Sequence, residues 1–505
     1  MRDCDVLIVG AGPTGLVLAL WLTKFGVKCR IVDKTDKPGS TSRALAVHAR
    51  TLELYRQLDL TEAVIQNGHK VPAVNLWVKG EKKVHLDFAT VGEDLTPYPF
   101  LHIFPQDEHE RLLVARLEQL GVAVERSTSL LSYAEEKDGI MARLATDKGE
   151  QQCHAAYIAG CDGARSRVRE TMGTGFPGGT YAQIFYVADV EASGPAADGE
   201  LHVDLDEADF VAVFPLKGQG RARLIGTVRD ERARHPEALK FEDVADRAIG
   251  HMKVDVKNVH WFSTYRVHHR VTQHFRKNRA FVLGDAAHIH SPVGGQGMNT
   301  GIGDAINLAW KLSWVVNGRA PDALLDSYEP ERIAFARRLV ATTDRVFSFV
   351  STEGPFADLM RTRVAPLVIP AIGKVEAVRE WLFRTVSQTL IHYRGSALAQ
   401  GRAGSVEGGD RLPWAFAAGL DNYAPLAEAK WQGHVYGDAE AALRAWFTTN
   451  EVPLHVFSWC EEYGRAGLRR NALYLLRPDT YVALAAEKPA PEMLTRYFAE
   501  RQIQP

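Results

Sequence analysis

The first part of the chain alternates between apolar runs and turn-forming residues. Residues 6–9 are apolar and rich in β-branched side chains, a pattern typical of a strand buried on both faces of a parallel sheet. A glycine-rich turn follows, and residues 16–25 then predict a helix that stops at Gly26. Residues 27–32 predict a second strand that ends at Asp33. The chain therefore opens with one β-α-β unit.

Farther along, the hydrophobic pattern changes from helical to strand-like. Residues 51–66 and 107–120 predict helices, the second of which ends at Gly121. From about residue 180 to 265 short apolar runs alternate with Gly- and Asp-containing turns; the runs are 185–190, 210–214 and 223–228. This pattern indicates a mainly antiparallel sheet inserted between α/β segments.

The rest of the chain returns to buried strands and long helices. Residues 281–285 repeat the buried-strand pattern, and 297–316 predict a long helix that ends at Asn317-Gly318. Residues 322–385 have a helical pattern, whereas the Gly-rich stretch 394–413 predicts a linker. The residues from about 410 onward mix strand and helix patterns and are numerous enough for a small domain.

Composition excludes several classes of protein. The 505 residues exceed what one hydrophobic core normally holds, and 46% hydrophobic with 24% charged residues is typical of a soluble globular protein. A net charge of −2 gives no electrostatic reason to expect nucleic acid or an anionic membrane as partner. The five cysteines form no CxxC pair, so we expect neither a disulfide framework nor structural zinc. We therefore expect a cytoplasmic location.

The apolar stretch at residues 6–22 could suggest a signal peptide or a membrane span. A signal peptide would begin with net positive charge, but Arg2 is outweighed by Asp3 and Asp5. A transmembrane helix would not normally carry three glycines and a proline in its middle. We therefore expect no membrane association from this segment.

The turn of the opening unit has the spacing Gly10-x-Gly12-x-x-Gly15. In this pattern the first glycine permits a tight turn, the second lets a pyrophosphate approach the backbone, and the third lets helix and strand pack closely. The helix start adds unpaired N–H groups and a positive dipole end. Asp33, 18 residues after Gly15, can bind a ribose hydroxyl. The pattern predicts dinucleotide binding, without separating FAD from NAD.

A second glycine-rich turn follows the strand at 281–285. Asp285 ends that strand, and Gly294, Gly295 and Gly297 precede a helix whose start suits the negative charge of a reduced flavin. Asp285 can accept hydrogen bonds from polyol hydroxyls. His288 and His290 could bind a metal or pack structurally; no nearby Cys or Glu completes a zinc site, which favours a structural role and no metal.

Taken in order, three motifs resemble those of the single-component (class A) FAD-dependent aromatic monooxygenases, the family of para-hydroxybenzoate hydroxylase. They are GAGPTG at 10–15, Cys161-Asp162-Gly163-Ala-Arg-Ser166, and Gly284-Asp285 with its Pro292 loop. Their order and spacing over about 300 residues is far more specific than any single motif. The resemblance implies FAD as cofactor, NADPH or NADH as co-substrate, and O2.

The resemblance also implies which residues bind the cofactor. Arg43 matches an arginine that contacts FAD, and Gln106 a glutamine at the flavin side, although a surface ion pair and a helix cap are the structural alternatives. The residues that we expect to bind cofactor are Gly10, Gly12, Pro13, Thr14, Gly15, Asp33, Lys34, Arg43, Gln106, Asp162, Gly163, Gly284, Asp285, Pro292, Gly295, Gly297, Met298 and Asn299.

The C-terminal block carries a narrower resemblance. Arg477-Pro-Asp479-Thr480-Tyr-Val-Ala483 is similar to the RPD-x-YVA segment of the phenol hydroxylase, polyketide hydroxylase and rifampicin monooxygenase branch, which ends in a thioredoxin-like domain. Thr480 departs from the usual glycine. Without a CxxC pair, dithiol chemistry is not expected. The implied role is structural or in assembly, including pairing of two copies as a homodimer.

These expectations combine α/β and α+β structure. We expect a Rossmann-like FAD-binding domain, an inserted antiparallel substrate sheet and a thioredoxin-like C-terminal domain. The expected division is 1–75, 100–180 and 265–355 for FAD binding, 76–99 and 181–264 for the substrate sheet, 356–409 for a helical connection and linker, and 410–505 for the thioredoxin-like domain.

The implied reaction is aromatic hydroxylation. NAD(P)H reduces FAD, O2 forms a C4a-hydroperoxide on the flavin, and one oxygen passes to a phenolic, polycyclic or polyketide-like ring. Among catalytic residues, His48 is a candidate base and Pro292 lies in the loop beside the flavin; Leu45 replaces an acidic residue of phenol hydroxylase. Phe210 and Phe214 are the expected substrate contacts, and the wall that they form offers no obvious charged anchor.

Three other functions stay open at this point. An FAD dehydrogenase or reductase of the same fold would lack oxygen insertion, whereas a flavin halogenase would carry a WxWxIP motif, which is absent from the sequence. A nicotinamide-dependent Rossmann dehydrogenase without flavin is disfavoured by the Asp-Gly and Gly-Asp motifs. A flavin-binding protein without catalysis is disfavoured because all the flavin motifs are intact.

Overall fold

The computed structural model describes residues 2–39, 44–78, 80–87, 89–205, 210–228, 239–244, 246–291, 295–351 and 376–505. Arg43 and Pro292, two of the expected site residues, lie outside these ranges. In the described ranges, no helix has both the length and the apolarity needed to cross a bilayer.

The first sheet has a parallel centre that begins with the predicted β-α-β unit. Cys4–Val9 pairs in parallel with both Cys29–Val32 and Gly149–Gly160, which in turn pairs in parallel with Ala280–Val282. Val6, Leu7 and Ile8 are fully buried because helices or other segments cover both faces of this sheet. Its further strands are Val124–Glu125, Ser129–Glu136, Gly139–Thr146 and Arg276–Lys277.

The second sheet is mainly antiparallel, as the pattern from 180 to 265 predicts. Its long central strands are Gly178–Ser193 and Asp255–Val271. The flanking strands are Ala73–Val78, Glu81–Asp87, Leu201–Leu205, Phe210–Pro215, Arg221–Val228 and His288–Ile289. One pair, Ala73–Val78 with Leu201–Leu205, is parallel. Pairing of His288–Ile289 with the end of the strand Asp255–Val271 brings this sheet next to the first one.

The third sheet belongs to the C-terminal block and corrects the linker prediction. The predicted linker contributes Gln400–Ala403 and Val406–Glu407 to a sheet whose other strands are Gln432–Tyr436, Leu454–Phe457, Leu473–Leu476 and Val482–Ala486. A Cβ atom at Gly401 would lie 2.2 Å from the carbonyl oxygen of Ala485 on the neighbouring strand. The glycines of this stretch therefore reflect close strand packing. In the sequence alone, the same glycines look like those of a flexible linker.

The predicted helix at 51–66 is interrupted. The chain forms Ala49–Tyr55, a 3-10 turn at Arg56–Leu58 and Thr61–Asn67, because Asp59 adopts a left-handed conformation (φ 56°). The other described α-helices are Pro13–Lys24, Ala89–Gly92, Gln106–Gln119, Arg167–Met172, Phe241–Val244, Asp246–His251, Gln296–Val316, Tyr328–Ser351, Glu376–Val386, Ala441–Thr449, Glu461–Arg465 and Pro491–Arg501. Short strands form two small sheets: Ala46–Val47, His69–Val71 and Leu101–Ile103, and Phe416–Ala417 with Leu420–Asp421.

The long helix Gln296–Val316 shares a hydrophobic core with the C-terminal block. Trp310 and Trp314 pack in one buried cluster with Trp431, and the rings of Trp310 and Trp431 lie edge to face at 5.7 Å. Because these large side chains are shared, the C-terminal block is part of the same packed body as the helix.

Candidate functional site

Three turns meet at one edge of the first sheet, where adjacent parallel strands end. Cys161 N donates to Val9 O and Leu283 N donates to Gly160 O, so the turns that follow these strands lie side by side. A Cβ atom at Gly10 would lie 2.2 Å from the carbonyl oxygen of Cys161. We call this region, residues 10–15, 161–166 and 284–287, the glycine edge. It brings together the three motifs that the sequence singles out.

The first turn leaves its backbone open to a ligand. Nothing lies within 4 Å of the place where a Cβ atom at Gly12 would be. The helix that follows begins at Pro13, and no side chain caps its first N–H groups. Thr14 lies against Gly284, where an added Cβ would meet Thr14 Oγ1 at 2.6 Å. This helix start can therefore present N–H groups and its positive dipole end to a phosphate.

Asp33 shapes the same turn from the second strand. Its Oδ2 accepts a hydrogen bond from Ala11 N at 2.6 Å, and its Oδ1 accepts from Thr35 N at 2.8 Å. Lys34 beside it is exposed. A carboxylate has about four acceptor positions, so Asp33 can hold the turn and still bind a ribose hydroxyl.

Asp162 in the second turn is held at a helix start. Its Oδ2 accepts from Arg167 N at 2.7 Å, whereas its buried Oδ1 has no hydrogen-bond partner in the described chain. Burial raises the pKa of this carboxyl above its usual value. Gly163 beside it has a left-handed backbone (φ 76°) and open space at its Cα. An unpartnered buried oxygen at this edge is suited to a polar ligand group.

Asp285 in the third turn is exposed although Gly284 and Ala286 on either side are buried. The turn is fixed from below by Asp304, whose Oδ2 accepts from Gly284 N at 3.0 Å and pairs with His288 Nε2 at 2.7 Å. The carboxylate of Asp285 is thus presented outward by a rigid turn.

Asp304 is a site-supporting residue that the sequence analysis missed. Its Oδ1 accepts from Arg332 Nε at 2.6 Å. Burial alone would raise the pKa of Asp304, but Arg332 and His288 hold it below its usual value. The sequence signal that could have identified it is that Asp304 is the only charged residue in 296–310. His288 is engaged by this carboxylate, and His290 Nδ1 lies 2.8 Å from Ser291 O, with burial lowering the pKa of His290 to about 4.

Arg169 is a second missed residue, and it connects two of the turns. Its guanidinium donates to Ala286 O at 2.8 Å and to Ala164 O at 2.7 Å, and it stacks on the Phe176 ring at 3.8 Å. No pattern in the sequence distinguishes Arg169 from the other arginines near it, because its partners are backbone carbonyls.

The start of the helix Gln296–Val316 lies next to His48. Gly295 has a left-handed backbone (φ 62°), and no side chain caps this helix start. His48 Nε2 lies 3.0 Å from Gly295 O, and the ring is 1% exposed. This contact favours a role for His48 in holding the loop rather than in accepting a substrate proton. Gly297 and Met298 are partly exposed in the first helical turn.

Asn299 fastens this turn to the region before the helix Ala49–Tyr55. Its side-chain amide donates to Ala46 O at 2.9 Å and to Gly295 O at 3.1 Å, and its Oδ1 accepts from His48 N at 2.9 Å. Gln106, in contrast, begins another helix and donates to Glu110 Oε1 at 2.8 Å. Asn299 is 1% exposed, so its hydrogen bonds stabilise the Gly295 turn from the buried side.

One face of the second sheet forms an aromatic wall against Leu45 and the small sheet that contains Ala46–Val47 and Leu101–Ile103. Phe210 and Phe214 lie in the cluster that contains Leu45 and Ala46, whereas Val211 and Val213, between them in the strand, face the opposite side. Other rings on the wall, which the sequence analysis did not single out, come from Tyr181, Phe185, Trp261 and Tyr265.

The wall does carry charged side chains, which corrects the expectation that it offers none. Arg223 and Asp189 occupy paired positions on neighbouring strands of this face. Arg223 Nε donates to Asp189 Oδ1 at 2.6 Å and Nη2 to Oδ2 at 2.8 Å, with Trp261 nearby. Cross-strand pairing places the two charges together, which a reading of each strand alone does not show.

A cluster of metal-ligand types lies apart from these turns, at Asp198, Glu200 and His202. The Trp77 indole donates to His202 Nδ1 at 2.9 Å, so the ring proton is on Nε2, which lies 2.8 Å from Asp198 Oδ1. With both ring nitrogens engaged, His202 has no lone pair to offer a metal ion.

The glycine edge, together with the start of the helix Gln296–Val316 and the aromatic wall, fits FAD. Two helix starts without side-chain caps, at Pro13 and Gln296, suit the pyrophosphate and the anionic edge of the flavin. Open backbone at Gly12, the unpartnered Asp162 Oδ1 and the exposed Asp285 supply sites for an elongated, hydroxyl-rich ligand. The aromatic wall gives a planar flavin or substrate an apolar boundary.

Comparisons with known proteins agree with this geometry. Residues 3–343 match the family described as FAD binding domain. The 6-methylpretetramide 4-monooxygenase of Streptomyces rimosus is 36% identical over 413 residues, 80% of this chain and 72% of that protein. The rifampicin monooxygenase of Streptomyces venezuelae is 31% identical over 514 residues, 97% of each chain.

Solved structures show the same fold over the whole length. The anhydrotetracycline hydroxylase OxyS from Streptomyces rimosus is 29% identical, with a TM-score of 0.76, and the match covers 100% of this chain and 99% of that one. The similarity therefore includes the C-terminal block as well as the glycine edge.

Proposed function

This chain belongs to the FAD binding domain family and is an FAD-dependent aromatic monooxygenase, and we propose that its substrate is a phenolic polycyclic compound. The observation that carries the proposal is the aromatic wall, where Phe210, Phe214 and Tyr265 lie on the sheet face that meets Leu45 and Ala46. A broad apolar wall suits several fused rings better than one. Relatives named for 6-methylpretetramide and rifampicin support it.

The proposed cofactor site is the glycine edge together with the start of the helix Gln296–Val316. We assign the pyrophosphate to the first turn, near Gly12 and Pro13, and the polyol hydroxyls to Asp33 and Asp285. Arg43, Lys34, Gln106 and Pro292 keep the roles that the family resemblance implies, as do Thr14, Gly15, Gly163, Gly297 and Met298.

Bound FAD supplies the electron transfer from NADPH or NADH and the activation of O2. The protein's own contribution is to hold the cofactor and to enclose the substrate. The helix start at Gln296 would place positive dipole charge beside a bound flavin, and the wall would exclude water from the reacting ring. The bidentate Arg223–Asp189 pair joins two neighbouring strands and so helps to hold the wall in place.

The proposal also covers the domain organisation of the chain. We assign 76–99 and 181–264 to substrate binding, and a thioredoxin-like role without dithiol chemistry to the C-terminal block, which also offers a surface for a homodimer. We place the start of the C-terminal block at about residue 400 rather than 410, because Gln400–Ala403 pairs with Val482–Ala486. The five free cysteines suit a reducing cytoplasm.

The test uses FAD-loaded protein, NADPH or NADH, and isotopically labelled O2, with a simple phenol compared against a tricyclic and a tetracyclic phenol. We expect one labelled oxygen in a polycyclic product and little in the simple phenol. Equal labelling of the simple phenol would overturn the substrate class. Nicotinamide oxidation with a product that lacks labelled oxygen would favour a dehydrogenase of the same fold.

Neighbouring residues of one strand provide a matched pair of variants. Phe214→Ala removes a ring from the wall and should raise KM for the polycyclic substrate about tenfold or more. Val213→Ala removes apolar volume on the opposite face and should lower stability with KM unchanged. If both variants change KM equally, the wall is not the substrate surface.

A further inference from the structure

Thr480 in the C-terminal block adopts a conformation that disfavours its own side chain. Its φ is 70°, in the left-handed region where β-branched residues are genuinely unusual, and the residue is buried. The turn is closed by a hydrogen bond from Thr480 N to Arg477 O at 2.9 Å. Glycine, the residue usual at this place in the resembling segment, would fit without strain. A buried threonine in a strained backbone conformation indicates that its side chain makes a contact that offsets the strain.

That side chain contacts Arg50, which lies on the helix Ala49–Tyr55 of the flavin-binding part. Arg50 Nη2 donates to Thr480 Oγ1 at 2.7 Å and more weakly to Asp479 O at 3.2 Å. Arg50 is 3% exposed, and its buried Nε has no hydrogen-bond partner in the described residues. Arg50 Nη1 also donates to Glu53 Oε2 at 3.0 Å, whereas the described acceptors of Nη2 are the Thr480 hydroxyl and the more distant Asp479 O. Loss of the hydroxyl would therefore leave Nη2 poorly paired in a buried place.

The start of the same helix is joined to the flavin-side turn. Thr51 Oγ1 donates to Asn299 Oδ1 at 2.8 Å, one residue after Arg50. Asn299 in turn donates to Gly295 O, which also lies 3.0 Å from His48 Nε2. Buried hydrogen bonds at Arg50 and at Thr51, which are neighbours in the same helix, therefore connect the C-terminal block to the turn that begins the helix Gln296–Val316.

We propose that Thr480 is a positioning residue of the flavin site. Its hydroxyl fixes Arg50, Arg50 fixes the helix Ala49–Tyr55, and that helix seats Asn299 and the Gly295 turn. The C-terminal block then acts on cofactor binding without touching the cofactor. This inference rests on the proposed function in one respect, the assignment of the Gly295 turn to FAD.

Three substitutions at one position separate the hydroxyl from the backbone strain. Thr480→Ser keeps the hydroxyl, Thr480→Val keeps the shape and strain but loses the acceptor, and Thr480→Gly removes both strain and acceptor. We expect the serine variant to bind FAD within about twofold of the unchanged protein, and the valine and glycine variants about tenfold more weakly, the scale of a lost charge-assisted hydrogen bond. The measurement is the FAD dissociation constant, from quenching of flavin fluorescence on adding FAD to apoprotein, together with Tm.

A matched control perturbs the C-terminal block away from Arg50. Asn422 is fully buried and bonds to Pro413 O, Ala415 N and Tyr436 Oη. Asn422→Ala should lower Tm with FAD affinity unchanged. Equal affinity of Thr480→Val and the unchanged protein would overturn the proposal, and so would an equal loss of affinity in Asn422→Ala.

The outcomes also separate this proposal from the cofactor assignment. If the unchanged protein does not bind FAD, the assigned flavin site is wrong. If it binds FAD and Thr480→Gly binds equally well, only the positioning role is wrong. The glycine variant keeps the test decisive if the valine variant does not fold, because glycine relieves the backbone strain at this turn.

Discussion

The glycine edge and the junction with the C-terminal block are both rich in polar groups, but they use them in opposite ways. At the glycine edge, Gly12 and Thr14 are partly exposed at a helix start without a side-chain cap, and Asp285 is exposed. At the charged junction, which we define as Arg50, Glu53, Glu331, Arg411 and Arg477 with their partners, every named charge is buried. One region presents polar groups to a ligand, whereas the other pairs them with each other.

Glu331 shows how completely the junction is paired. Its Oε1 accepts from Arg477 Nη1 at 2.7 Å and from Ser396 Oγ at 2.6 Å, and its Oε2 accepts from Lys311 Nζ at 2.7 Å. Asn307 adds a further bond to Oε2 at 2.7 Å. Burial alone would raise the pKa of Glu331, but Arg477 and Lys311 hold it well below its usual range. Buried charge is tolerated where partners saturate it.

The comparison therefore separates two meanings of a polar cluster. Open backbone and unpartnered oxygen atoms indicate binding, whereas saturated buried ion pairs indicate a fixed interface. The junction joins Glu53 to Arg411 through two hydrogen bonds, at 2.9 and 2.6 Å, across 358 residues of sequence. Changes to the junction should act mainly on stability, and changes to the edge mainly on FAD.

The largest effect should come from Glu331→Ala. The substitution leaves Arg477 and Lys311 buried without their counter-charge, which costs about 3–5 kcal/mol of unfolding free energy. Urea unfolding monitored by tryptophan fluorescence measures the loss. Glu150→Ala is the control, because its pair with Arg143 is exposed and should contribute less than about 1 kcal/mol. Similar losses in the two variants would contradict the role of burial.

Asp285→Ala should have the next largest effect, on ligand affinity rather than on the fold. Loss of a carboxylate that accepts polyol hydroxyls should weaken FAD binding by about 10- to 100-fold, while Tm of the apoprotein changes little. Titration of apoprotein with FAD measures the affinity. Asp326→Ala changes an exposed aspartate elsewhere, bonded to Arg276, and should bind FAD normally. Normal flavin occupancy in Asp285→Ala would exclude the assigned contact.

A buried polar group without a counter-charge should behave differently from the junction. His109 is fully buried, and its Nε2 lies 2.9 Å from Tyr55 Oη. Burial, with a smaller contribution from His102, lowers the pKa of His109 to about 3. The folded state therefore keeps this ring neutral while the unfolded chain takes up a proton below pH 6.5, so stability is lost as pH falls from about 6.5 toward 3.

For His109 alone the expected loss between pH 7 and pH 5 is about 1–2 kcal/mol of unfolding free energy. Urea unfolding at pH 7, 6 and 5 gives the slope. His109→Gln keeps a hydrogen-bonding partner for Tyr55 but has no proton to gain, so its stability should fall less over this range. Parallel slopes for the two proteins would exclude His109 as the titrating group.

The smallest effect should come from the solvent-facing rim of the junction. Arg56 Nη1 pairs with Asp421 Oδ2 at 2.7 Å, and both side chains are partly exposed. Arg56→Ala should change the unfolding free energy by less than about 1 kcal/mol, and the difference should shrink further in high salt. A loss as large as that of Glu331→Ala would show that burial is not what distinguishes the two pairs.

The sequence predicts the glycine edge well because its parts are local. The spacing of Gly10, Gly12 and Gly15 between a strand and a helix needs no distant residue to be interpreted. The aromatic strand at 210–214 is recognisable for the same reason. The exceptions are Asp304 and Arg169, which support the glycine edge through hydrogen bonds to the backbone of Gly284 and Ala286. A side chain that bonds to backbone has no partner residue type that a sequence motif could reveal.

The linker prediction at 394–413 failed for a related reason. Glycines in a short segment are compatible with flexibility and with close strand packing, and only the neighbour decides between them. At Gly401 that neighbour is Ala485, which lies far along the chain. The break in the predicted helix at 51–66 has a local cause instead, because Asp59 adopts a left-handed backbone conformation (φ 56°) that aspartate takes up more readily than most residues.

The sequence by itself determined the β-α-β opening, the inserted antiparallel sheet, the three turns of the glycine edge and the family, because periodicity and glycine spacing are short-range properties. Only the tertiary structure decided which charges are saturated, that Arg223 pairs with Asp189, and that Thr480 contacts Arg50. Those contacts join positions that are distant along the chain, and the free energy of a buried polar group depends on the partners that folding brings to it.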